Sequence, residues 1–143
     1  SILMAMFISP KLAAVVCLGT TLGFFMTTPV IIALRAASHI CFALLGAVLI
    51  RKIPEIIEKP LPSTVFNGGL AFVHALAEVA VVSPFFLAGS IFKPEQLADG
   101  YVMSVLVLVG VGTFLHSLID YTVSIMLWKP VRAALPSLAE LRE

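Results

Sequence analysis

Three pairs of ionisable residues stand four apart inside otherwise apolar runs: Arg35/His39, His74/Glu78 and His116/Asp120. That spacing puts both members of a pair on one face of a helix. Such groups are costly at membrane depth, where they face a cavity or one another. Arg35 offers a planar, permanently charged fork suited to a carboxylate. His39, His74 and Glu78 could receive a ring nitrogen or an amide. These four are the candidate substrate-binding residues. A second reading stays open, in which Arg35 and Glu78 form an interhelical ion pair that only sets packing. His116/Asp120 is read as structural, or as a contact for a partner. His-x-x-x-Glu and His-x-x-x-Asp can also put two metal ligands on one helix face. Because His-Glu-x-x-His and a cysteine pair at ligand spacing are absent, no metal ligand is assigned.

The elements that must carry these pairs are legible from hydropathy, since a spanning helix needs about 20 mostly apolar residues. Residues 2–8 form a short apolar piece stopped by Ser9-Pro10-Lys11. It is expected to be the inner end of a helix whose start lies upstream. Residues 11–26 form the next segment, ended by Thr27-Thr28-Pro29, because proline stops one helix and pre-sets the first turn of another. The third segment is 29–50, closed by Arg51-Lys52. A polar loop with Pro54, Pro60 and Pro62 follows. The fourth is 66–88, with a kink expected at Pro84 and Asn67-Gly68-Gly69 at its start. Lys93-Pro94-Glu95 suits an interfacial helical turn. The fifth is 101–127, with Trp128 as an interface anchor. The tail 129–143 could form a surface helix after Pro136. The fold class is an all-α membrane protein, a polytopic transmembrane helix bundle, read as the single domain 1–143.

Basic residues orient the bundle. Lys11, then Arg51, Lys52 and Lys59, then Lys129, Arg132 and Arg142 fall in alternate connections and the tail. The connections between hold only Lys93, beside Glu95 and Asp99. The C-terminus is therefore expected in the cytoplasm. With one helix upstream, both termini are cytoplasmic and the helices number six in the full protein, the first missing here. At about 1.5 Å per residue, Arg35, His39, His74 and Glu78 meet in the outer half. His116 and Asp120 lie in the inner half and are not expected to join them without a tilt or a break.

Composition agrees with a lipid-solvated surface. Hydrophobic residues make up 60% of the 143 and charged residues only 12%, with a mean hydropathy of +1.10. Soluble domains carry roughly 25% charge. The net charge of +1 gives no field for nucleic acid. Cys17 and Cys41 read as small packing residues. Gly19 and Gly23 form a small-xxx-small pattern, which suits either packing within the chain or docking to another membrane subunit. Gly110 and Gly112 suit close packing, and Thr20 and Thr21 more often bond their own helix carbonyls. Walker loops, nucleophile elbows and glycine-rich phosphate cradles are absent. An uptake protein without a nucleotide site is driven by an ion gradient or by a partner's ATPase, and size points towards the partner. The chain is too small for the inverted-repeat transporters.

Four stretches, MAMFISP (4–10), LGTTLGFF (18–25), LRAASH (34–39) and HALAE (74–78), resemble the substrate-binding (S) components of energy-coupling factor (ECF) vitamin transporters, most closely the niacin type. The resemblance covers most of residues 4–86 and is weaker beyond. It implies a six-helix bundle in a bacterial cell membrane that binds a vitamin from outside. It implies docking through small residues to a transmembrane coupling subunit carrying two cytoplasmic ATPases. The chain itself would use no cofactor and catalyse no reaction; ATP belongs to the partners. A docking motif expected in the first helix is missing here. Niacin suits the residues, with a carboxylate for Arg35 and a ring nitrogen for a histidine or another donor. Phe24, Phe25, Phe85 or Phe86 could wall it. The alternatives are a transition-metal uptake protein and a non-catalytic scaffold subunit.

Overall fold

The computed structural model describes residues 2–90 and 92–135. Helix α1 (Ile2–Ile8) is followed at once by α2 (Pro10–Thr27). Ser9 separates them in extended backbone, and its hydroxyl accepts from Leu12 N at 3.2 Å. With Pro10 in the first turn, where no backbone donor is needed, this is a strong helix start. Pro29 divides α2 from α3 (Val30–Lys52). Pro54 stops α3, and a single turn, α4 (Glu55–Glu58), leads to α5 (Pro60–Leu87). The polar loop expected up to residue 65 is thus mostly helix. Pro60 and Pro62 stand in the first turn of α5, where their missing N–H costs nothing. Asn67 is consequently inside α5 rather than at its start, and its Nδ2 donates to Leu118 O at 3.1 Å.

After α6 (Pro94–Ala98), the expected interfacial turn, the last span begins with a π-wound segment (Val102–Val111) and continues as α7 (Gly112–Ala134). It runs seven residues past the expected end. The expected surface helix after Pro136 lies outside the described residues. Among the described residues, four helices are long and apolar enough to cross a membrane: Pro10–Thr27, Val30–Lys52, Pro60–Leu87 and Val102–Ala134. The described residues form an all-α bundle.

Neighbouring helices pack in the order α2, α3, α5, α7, and α1 is wedged among α2, α3 and α7. Met6 and Phe7 of α1 are almost wholly buried. The Phe7 ring meets Tyr121 edge-on at 5.7 Å and Trp128 at the same distance. Trp128 is buried at 2% exposure, so it belongs to the core and is not the interface anchor expected. Its ring finds an aromatic cluster at this end of α7, which outweighs a place among headgroups. Val15, Leu22, Met26, Leu115 and Met126 point outward, as lipid allows.

Glycines divide into two kinds. At Gly46 an added Cβ would collide with Met6 Sδ and stand 3.1 and 3.2 Å from the Leu70 methyls, so α1, α3 and α5 converge there. Gly110 similarly lets Val79 approach, as expected, whereas Gly112 is open. Gly19 and Gly23 have nothing within 4 Å of a built Cβ. No described part of this chain packs on them. Thr21 bonds its own helix, donating to Cys17 O at 2.8 Å. Cys17 is buried as expected, but Cys41 is exposed.

Candidate functional site

Helices α3, α5 and α7 each contribute residues spaced by four, and these meet in two layers. In the first layer Arg35 Nε donates to Glu78 Oε2 at 2.5 Å, and Thr113 Oγ1 donates to the same oxygen at 3.4 Å. In the second, His39 and His74 stand ring against ring, centroids 4.5 Å apart at 83°, and His74 Nδ1 pairs with Ser117 Oγ at 2.5 Å. Glu78 joins the layers. Its Oε1 lies 3.4 Å from His39 Nε2 and 3.5 Å from His74 Nε2. Each layer is one helical turn from the other, because residues four apart are stacked along a face.

All four predicted residues therefore come together. Three further groups complete the site: Thr113, Ser117 and the ring of Phe42, 4.4 Å from the His74 ring. Hydroxyls and a phenylalanine in apolar helices carry no distinctive signal. The 113/117 spacing, matching the spacing of the three ionisable pairs, was the one available hint.

Burial is unequal across the site. The Glu78 side chain is 5% exposed and that of Arg35 39%. Among the described residues only Nε of the guanidinium is hydrogen-bonded. Its two terminal nitrogens make no hydrogen bond among the described residues. Beside it lies a cavity of about 400 Å³, lined by Phe24, Arg35, His39, His74, Glu78 and Thr113 among others. Ligand pockets begin at roughly 300 Å³, so the ion pair is not sealed off. A smaller chamber of about 130 Å³ lies behind the two histidines, towards α1, with Phe42, Asn67, Ser117 and Asp120 on its walls.

The expectation for His116 and Asp120 is corrected. His116 lines both cavities, and Asp120 lines the smaller one. The pair itself is intact, Nε2 to Oδ2 at 3.0 Å, and more than half exposed. The depth estimate assumed α-helical advance along the whole span. A π-wound segment has more residues per turn and advances less per residue, so α7 starts nearer the site. Of the four phenylalanines considered as walls, Phe24 lines the larger cavity. Phe86 packs instead against Phe92 and Tyr101, and Phe25 is 64% exposed.

Over 136 residues, 94% of its length, the chain is 35% identical to the niacin transporter NiaX of Lactococcus lactis subsp. cremoris. The chain is a relative of that transporter. The niacin-type resemblance read from the four sequence stretches is borne out by this match. The chain spans 60% of the relative's length. No family model and no solved structure matches it. With four apolar helices of spanning length, this relative of a transporter is a multi-pass membrane protein.

Proposed function

We propose that this chain is the substrate-binding part of a vitamin transporter of the ECF type, an S component that takes niacin or a similar small carboxylated heterocycle from outside the cell. The observation that supports this most is the state of Arg35. Glu78 engages Nε, Arg35 lines an open cavity, and its terminal nitrogens make no hydrogen bond among the described residues. A carboxylate can then be held by two parallel charge-assisted hydrogen bonds. The facing imidazoles of His39 and His74 suit the ring nitrogen, and Phe24 suits a ring face.

On this reading the chain catalyses nothing and holds no nucleotide. ATP is hydrolysed by two cytoplasmic ATPases joined to a transmembrane coupling subunit. The open stripe at Gly19 and Gly23 is available for that subunit, since close helix approach in a bilayer favours small residues.

Binding of nicotinate and of nicotinamide to the full-length purified protein tests the proposal. Charge-assisted hydrogen bonds contribute about 1.5–3 kcal/mol. Arg35→Ala is thus expected to weaken nicotinate roughly 10- to 100-fold, while nicotinamide changes little. Equal loss for both ligands would remove the carboxylate role from Arg35. A wild-type protein that binds neither overturns the proposal.

A further inference from the structure

We propose that His39, His74 and Glu78 form a binding site for a divalent first-row transition-metal ion, with its remaining coordination position open to the larger cavity. Two imidazoles and one carboxylate are the protein ligands of a three-ligand zinc site that keeps a fourth position free. The spacing fits. Bonds of about 2.0–2.1 Å in tetrahedral geometry place neighbouring ligand atoms about 3.3–3.4 Å apart. Here Glu78 Oε1 lies 3.4 Å from His39 Nε2 and 3.5 Å from His74 Nε2, and one ligand atom from each residue falls within 4.8 Å of the others. Only the two imidazoles need to draw together.

A second observation points the same way. His74 is 6% exposed, and its buried Nε2 makes no well-aligned hydrogen bond, Glu78 Oε1 standing at the long distance of 3.5 Å. Buried polar atoms without partners are rare and costly. A cation between His74 Nε2 and Glu78 Oε1 would satisfy it. On two of the three ligands the opposite atom is already held, as on metal ligands generally, whereas His39 Nδ1 is buried without a hydrogen-bond partner. His74 Nδ1 is fixed by Ser117 Oγ, and Glu78 Oε2 by Arg35 Nε and Thr113 Oγ1. Imidazole and carboxylate without sulfur suit zinc or nickel, not a soft monovalent ion or magnesium. Because Arg35 already balances Glu78, an anion entering the cavity would take the free position well. The inference does not rest on which vitamin the cavity takes.

Zinc is the probe. Full-length protein without an affinity tag is stripped with EDTA, incubated with zinc chloride, desalted and analysed for metal. Stoichiometric zinc is expected in the wild type and in Asp120→Asn, and its loss in His74→Ala and in the isosteric Glu78→Gln. Ser117→Ala, which removes the partner of His74 Nδ1 but no coordinating atom, should weaken zinc about 10- to 100-fold. Sub-stoichiometric zinc in the wild type, or unchanged affinity in both His74→Ala and Glu78→Gln, overturns the site. Nicotinate binding measured on the stripped protein separates the two proposals. Nicotinate bound without any zinc uptake ends the metal site alone, and zinc uptake with no nicotinate binding to either the stripped or the zinc-loaded protein supports it while ending the niacin reading.

Discussion

Glu78 keeps only a twentieth of its side-chain surface, whereas Arg35 keeps 39%. The two partners of this ion pair therefore depend on it differently. Without Glu78, the guanidinium can turn into the cavity. Without Arg35, the carboxylate stays buried beside two imidazoles and one hydroxyl. Leaving a buried charge unpaired costs on the order of 3 kcal/mol. Arg35→Ala should lower the unfolding temperature in detergent, and Arg35→Ala/Glu78→Gln should recover part of that loss. A double variant no more stable than Arg35→Ala would show that the carboxylate needs no cation.

At the level of elements, the site is a matter of phase. Residues 35/39, 74/78 and 113/117 sit on three helices, and each pair must be turned inward at the same depth. The π-wound segment before α7 sets the phase of the last pair. The glycines show how tightly these helices are held. Gly46 has Met6 and Leu70 against its open side, and Gly112 has nothing within 4 Å. Gly46→Ala should destabilise by about 1–3 kcal/mol through overpacking. Gly112→Ala should be neutral or gain up to about 1 kcal/mol, the helix-propensity difference. Thermal unfolding of the two variants in detergent checks this, and equal shifts would mean that packing at Gly46 is loose.

For the whole molecule, charge gives an expected orientation in the membrane. Lys11, Arg51, Lys52, Lys59, Lys129 and Arg132 stand at the start of α2, the end of α3, the start of α5 and the end of α7. Arg132 Nη1 reaches Glu58 Oε1 at 3.3 Å, which joins two of these ends in space. Such exposed pairs add little stability, and the basic residues on this side are expected to face the cytoplasm. In a Cys17→Ser/Cys41→Ser background, an impermeant thiol reagent added to intact cells should label Ser90→Cys and spare Lys52→Cys. The reverse pattern would invert the topology and put the Arg35 cavity on the cytoplasmic side.

Residue type and spacing alone determined the helical class, the order of the spans and the four residues that converge. Apolar runs, prolines and a repeat of four are local signals, and the cost of burying a charge in lipid ties Arg35 to Glu78 without any coordinates. The tertiary structure decided the rest. Whether a void lies beside that pair depends on how three helices pack, which no single segment encodes. The inclusion of Thr113, Ser117 and His116 depended on the π-wound phase of the last span, and hydropathy is the same for either winding. Trp128 and Asn67 were misplaced for a related reason. Their partners, Phe7 and Leu118, are distant in sequence, and only the folded bundle brings them within reach.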